Sequence, residues 1–211
     1  MAPKIILTYF DIPGPAEAIR LALSISGEEW EDKRLSFEAF MAMKPTLPMG
    51  QLPTLDVDGK VLCQSLAILR FVGKRAGLYP EDPMEAAMTD MAADAVTDTT
   101  AKVAPTIRME DKAKQMEIRK DLAENFLPTW LASMEKMLEV AGGKYFAGGK
   151  LSIGDLAVVC RLEWLKKGIL DGIPATIVDP YPLLMALIDR VNSEPKIVAY
   201  HEARQAAAAA K

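Results

Sequence analysis

Residues 5–17 read Ile5-Ile6-Leu7-Thr8-Tyr9-Phe10-Asp11-Ile12-Pro13-Gly14-Pro15-Ala16-Glu17, and this stretch decides the fold. Its first six residues are mostly β-branched, apolar or aromatic and read as a buried strand. Pro13-Gly14-Pro15 breaks that strand, after which Ala16, Ile19, Ala22 and Leu23 recur at helical spacing. Pro15 suits a first helical turn, where its missing N–H would lack a partner in any case. The helix is expected to stop at Gly27. A strand, a tight turn and a helix start place the Tyr9 phenol beside backbone N–H groups and the positive end of a helix dipole. Together these favour a bound anion.

Outward from there, Trp30 to Leu35 alternates weakly and reads as a second strand. Phe37 to Lys44 is a short, irregular, Met-rich segment broken by Pro45 and Pro48. From Gly50 to Cys63, Asp58-Gly59 sits between two apolar runs and signals a hairpin. Pro53 at its mouth must occupy an edge or a first strand position, and a cis bond there would turn the preceding backbone outward. Gln64-Ser65 then opens a helix from Leu66 to about Ala76, with Ser65 as candidate N-cap and Gly77 as stop. The order is βαβαββα.

Tyr79-Pro80-Glu81-Asp82-Pro83 forms a break, so the chain divides into residues 1–79, a linker at 80–83 and a helical domain over 84–211. In the helical part Met84, Met88, Met91, Ala92 and Ala95 form one apolar stripe. Leu122, Phe126, Leu127, Trp130, Leu131, Met134 and Leu138 form another, and both read as core. Ser152-Ile153-Gly154-Asp155 reads as a capping-box variant between Leu151 and Leu156, a folding device and not a catalytic one. Two further helices follow, Tyr181 to Val191 and Pro195 to Arg204, with the Ala206 to Ala210 run extending the last or fraying.

Composition excludes several function classes. Half of the 211 residues are apolar and 26% are charged, which describes a globular chain, and a net charge of −4 gives no reason to expect nucleic acid or an anionic membrane as partner. Cys63 and Cys160 lie far apart in apolar runs and read as buried reduced thiols. No C-x-x-C exists for dithiol redox chemistry. With the single histidine, His201, in a polar C-terminal stretch, a His-rich metal site or a Ser-His-Asp triad is hard to assemble, and no metal is expected. The N-terminus is too short in apolar residues for a secretory segment and no stretch reaches membrane-spanning length, so a cytoplasmic protein is expected.

Residues 1–80 resemble the thioredoxin-like domain of cytosolic glutathione transferases, most closely the sigma class. The resemblance is carried in order by Tyr9-Phe10, Gly14, Ala16, Glu17, Lys44, Leu47-Pro48-Met49-Gly50-Gln51-Leu52-Pro53, Val57-Asp58-Gly59 and Gln64-Ser65-Leu66-Ala67-Ile68. It implies an α/β thioredoxin-like domain followed by an all-α domain, with glutathione as co-substrate. A free cysteinyl thiol has a pKa near ~8.5, and a tyrosine hydroxyl donating a hydrogen bond to the sulfur stabilises the reactive thiolate. Tyr9 is the implied donor; the competing reading is strand packing with its hydroxyl bonded to backbone.

The same resemblance implies that Leu52, beside Pro53, pairs with the cysteinyl backbone of glutathione. Gln64 and Ser65 receive the γ-glutamyl end, while Lys44, Gln51 and Phe40 face the glycyl carboxylate. Lys44 could equally be a solvated surface lysine. Asp90, Asp94 and Asp98 recur every four residues, and by resemblance Asp98 of the partner subunit of a homodimer reaches the γ-glutamyl ammonium; the alternative is a solvated helix acid. Second-substrate walls fall by resemblance at Ile12, Gly14, Pro15, Thr100, Pro105, Ala157 and Arg161.

Two departures stand out. Sigma-class chains typically carry an arginine where this chain has Pro15 and a tryptophan where it has Phe40, so chemistry that needs that arginine is expected to be absent or changed. The leading expectation is addition of the glutathione thiolate to hydrophobic electrophiles. The alternatives are a sigma-type isomerase of the prostaglandin D synthase kind and a non-catalytic ligand-binding or crystallin-like relative. A thiol reductase is disfavoured because no cysteine occupies the active turn.

Overall fold

The computed structural model describes residues 3–209, so Met1, Ala2, Ala210 and Lys211, including the end of the alanine run, lie outside the described residues. The chain forms two units, residues 3–79 together with 195–209, and Pro80–Glu194.

In the first unit β1 (Ile5–Phe10), β2 (Glu31–Leu35), β3 (Thr54–Val57) and β4 (Lys60–Cys63) form one sheet in the order β2-β1-β3-β4. β1 is parallel to β2 and antiparallel to β3, and β3 is antiparallel to β4. β1 is interior, which is why its sequence is almost continuously apolar, whereas the edge strand β2 carries Glu31, Asp32, Lys33 and Arg34. Asp58 and Gly59 both have positive φ, 51° and 83°, the requirement of a two-residue hairpin turn. α1 (Glu17–Ser26) ends at Gly27 in the left-handed region and packs on α3 (Ser65–Arg75). The irregular Met-rich segment is in fact α2 (Phe37–Met43), capped by Ser36 Oγ accepting from the Ala39 N–H, then a 3₁₀ turn over Lys44–Thr46. α3 opens differently from expectation. Gln64, at φ 71°, is the capping residue and makes no side-chain cap, while Ser65 is already helical. The turn out of β4 puts Gln64 in the left-handed region, so winding starts at Ser65, one residue earlier than with serine as the cap. The last helix, α9 (Pro195–Ala209), follows the helical unit in sequence yet clusters with this one, packing on α1.

The second unit contains α4 (Pro83–Ile107), α5 (Lys112–Asp121), a π turn over Leu122–Phe126, α6 (Leu127–Val140), α7 (Ile153–Lys166) and α8 (Pro182–Asn192). Asp82 caps α4 by accepting from the N–H groups of Met84 and Glu85, with Pro83 at the first helical position. The second apolar stripe is core as expected, with Leu127, Leu131, Met134 and Leu138 fully buried. The methionine stripe is not: Met84 is 70% exposed and Met91 57%. The buried face of α4 is instead Thr89, Ala92, Ala93, Thr99, Val103 and Thr106. These small side chains let α7 approach so closely that a Cβ on Gly154 would lie 2.7 Å from the Thr89 carbonyl oxygen. Close backbone approach, not side-chain bulk, therefore selects the core face.

The capping box forms as read: the Asp155 carboxylate accepts from the backbone N–H groups of Ser152 and Phe146 and from the Ser152 hydroxyl. Cys63 and Cys160 form no disulfide among the described residues, and each is half-buried, not buried. No helix among the described residues is long and apolar enough to cross a membrane.

Candidate functional site

Tyr9 is held at the end of β1 with its side chain buried, opposite Arg34 of β2. A 3₁₀ turn over Gly14–Ala16 folds the chain back against it. Gly14 has φ +48°, and a Cβ there would lie 2.6 Å from the Tyr9 hydroxyl oxygen, so backbone and packing both require glycine. Among the described residues the hydroxyl makes no hydrogen bond, which leaves its O–H free to donate to a ligand. Burial pushes its pKa above the ordinary value, and the Arg20 charge pulls it only partly back. Tyr9 is thus a protonated donor at neutral pH and not a base.

Arg20 was not singled out by sequence reasoning. It is fully buried and ties the turn together by donating to the carbonyl oxygens of Phe10 at 3.1 Å, Ile12 at 2.8 Å and Pro13 at 3.4 Å. It is neutralised by Glu17 at 3.0 Å and Asp32 at 3.1 Å, and its guanidinium carbon lies 5.8 Å from the Tyr9 ring centroid. The Tyr200 hydroxyl, pushed up to about 12 chiefly by burial and then by the Glu17 charge, donates to Glu17 at 3.2 Å. The available signal was a pair of opposite charges at i, i+3 inside the otherwise apolar run of α1.

Around the turn, the Phe10 and Phe40 rings meet edge to face at 5.3 Å, and Lys44 Nζ lies 6.0 Å from the Phe40 ring centroid. Lys44 is exposed, with its stem against Gly50, where a Cβ would sit 3.6 Å from it. Gln51 is exposed and Pro53 buried, and the Leu52–Pro53 bond is cis. From Thr54 on, β3 is paired with β1 on one side and β4 on the other, and Leu52 lies just before this paired stretch. Gln64 is exposed and donates its amide to Met49 Sδ at 3.2 Å, a weak acceptor that a carboxylate readily displaces. That contact joins the 44–51 segment to the start of α3, whose first N–H groups have no side-chain cap.

The remaining expected residues divide between the units. Ile12, Gly14 and Pro15 are exposed in the first. In the second, Asp98, Thr100 and Pro105 are exposed on α4, Pro105 within the helix, while Ala157 is buried on α7. Arg161 of α7 donates to the Thr100 hydroxyl, so these two are brought together.

Against known families, the model of the glutathione S-transferase N-terminal domain matches residues 6–74, and that of the C-terminal domain matches residues 97–204. The chain belongs to the glutathione S-transferase family. It is 39% identical to Glutathione S-transferase 1 of Ascaris suum over 163 residues, covering 76% of this chain and 79% of the relative. The solved prostaglandin synthase D of Nilaparvata lugens superposes with a TM-score of 0.87 at 36% identity, covering 95% of this chain and 98% of that one. A Pi-class glutathione S-transferase of Onchocerca volvulus gives 0.84 at 32% identity, covering 97% and 95%. Solved relatives of this glutathione S-transferase bear Pi-class and Nu-class labels, so the similarity establishes the family and the fold and does not establish the sigma class. Glutathione is accordingly the co-substrate of this enzyme.

Proposed function

We propose that this glutathione transferase adds the glutathione thiolate to electrophilic small molecules, with the Tyr9 hydroxyl donating a hydrogen bond to the sulfur. The observation that carries this is a buried, protonated phenol whose O–H has no partner among the described residues. In the step, the thiol proton passes to solvent and the sulfur lone pair forms a bond to an electrophilic carbon; the electron pair of the bond broken there leaves with the departing group or, where the thiolate adds across a conjugated double bond, moves to the far atom and takes up a proton from solvent. The N–H and C=O of Leu52 pair with the cysteinyl segment, beside Pro53. Gln64 and the first N–H groups of α3, beginning at Ser65, take the γ-glutamyl carboxylate. Lys44 and Gln51 take the glycyl carboxylate beside the Phe40 wall. Ile12, Gly14, Pro15, Thr100, Pro105, Ala157 and Arg161 form the second-substrate walls.

We further place the enzyme in the cytoplasm as a homodimer in which Asp98 of the partner subunit completes the glutathione site. Exposure of Asp98 and of the methionine stripe on α4 supports this reading.

Tyr9→Phe is expected to leave glutathione affinity within about threefold while lowering kcat/KM for conjugation by roughly 10²-fold, the scale of losing one donor at an anion site. The pH midpoint of the rate should also rise towards the free thiol value of ~8.5. Equilibrium binding and a pH–rate profile measure both; unchanged turnover would sink the role given to Tyr9.

A sigma-type isomerase is the second reading. Similarity to the Nilaparvata lugens prostaglandin synthase favours it, and Pro15 and Phe40 weigh against it. Incubation with a prostaglandin endoperoxide and glutathione decides, since absence of isomerised product removes it.

A further inference from the structure

Among the described residues, α7 carries a guanidinium that no carboxylate neutralises. One Arg161 Nη donates to the Thr100 hydroxyl on α4, and the guanidinium carbon lies 4.8 Å from the Trp164 ring centroid. Its Nε is buried with no hydrogen-bond partner. The acids nearest to it on α7 are committed elsewhere: Asp155 to the capping box, and Glu163 to Asn192 at 2.7 Å. Burial lowers the Arg161 pKa to about 10, with no carboxylate acting against that shift. The buried arginines Arg20 and Arg119 behave differently. Arg20 has two carboxylates, and Arg119 donates to the Thr106 hydroxyl and to the carbonyl oxygens of Thr106 and Asp171. Arg161, itself half-buried, is the one of these three with a buried donor left unused. A cation kept this way is costly in the ligand-free protein and is compensated when an anion binds. Its Nε–H and neighbouring Nη–H form a fork that matches the two oxygens of a carboxylate, and Trp164 supplies a π face beside it.

We propose that Arg161 is the anion anchor of the second-substrate site, so that this enzyme prefers electrophiles bearing a carboxylate. The inference rests on the reading that Thr100, Ala157 and Arg161 line that site, and it names the substrate class the site takes.

The test compares 4-chloro-3,5-dinitrobenzoate with its methyl ester. In each the glutathione thiolate forms a bond to the chlorine-bearing carbon, the C–Cl bond breaks, and chloride leaves with the electron pair. The wild type should show a higher kcat/KM for the carboxylate. Arg161→Met should lower the carboxylate-to-ester ratio by roughly 10- to 100-fold, the scale of a charge-assisted hydrogen bond, mainly through KM, with Arg161→Lys intermediate. The ratio cancels any loss of folded protein, and a ratio left unchanged by Arg161→Met overturns the proposal. If the wild type consumes neither compound, the transferase reading fails separately. Calorimetric titration with 4-chloro-3,5-dinitrobenzoate alone then decides: saturable binding weakened at least tenfold in Arg161→Met sustains the anchor, and equal or absent binding in both proteins overturns it.

Discussion

Gly14 leaves the proposed reaction centre little tolerance. A side chain there meets the Tyr9 hydroxyl at 2.6 Å and a φ of +48°, so Gly14→Ala should cost about 1–2 kcal/mol of stability from backbone strain. Conjugation should fall by more than the lost folded fraction explains, because the hydroxyl must shift; denaturant unfolding alongside kcat/KM separates the two effects. At this scale the sequence was legible where one residue type dictates geometry. Tyr9 and Gly14 announce themselves by sitting at a strand end and in a turn. Arg20 did not, because inside an apolar helix run an arginine reads as a solvated face. Its importance arises only when the Phe10, Ile12 and Pro13 carbonyl groups fold back over it. Ser65 was misread as a cap because propensity carries no information about the left-handed backbone imposed on its neighbour Gln64.

Elements were legible wherever apolar spacing built the core, and illegible where polar groups did that work. α5 went unread because it is anchored by Gln115, 3% exposed, and Arg119, 5% exposed, both donating to Thr106. The methionine stripe misled for the converse reason: a helix that packs through small residues turns its large ones outward. The capping box was read correctly because its spacing is its geometry. Asp155→Asn should destabilise the fold by about 2 kcal/mol at neutral pH, since an amide cannot accept all three of its hydrogen bonds. The effect also depends on pH. Burial raises the folded-state pKa of Asp155 from 3.8 to about 6 against the opposing hydrogen bonds, so between those values the folded chain holds the extra proton. Its stabilising share is fully present below 3.8 and lost as pH rises through about 6. The stability gap between wild type and variant should therefore widen from pH 7.5 to pH 4, as unfolding curves at both values will show.

For the whole molecule, the break after Tyr79 was visible as a Pro-rich segment, whereas the return of α9 to the first unit was not, because chain order alone does not say which neighbours a late helix will join. The proposed dimer makes its own prediction. Replacing Met84 and Met91 together by lysine should convert the protein to monomers in sedimentation and weaken glutathione binding, since Asp98 of the partner subunit is then lost; a stable dimer in that variant counts against this interface. The return of α9 has a further consequence for biosynthesis. Residues 3–79 leave the ribosome first, yet Tyr200, which donates to Glu17 beside Arg20, emerges only after the whole of 80–194 has been made. The contiguous helical unit can finish while the catalytic half still waits. Chains cut short before residue 195 therefore lack Tyr200 and its hydrogen bond to Glu17, so the turn proposed to hold the thiolate gains its full set of contacts only once the last helix has been made.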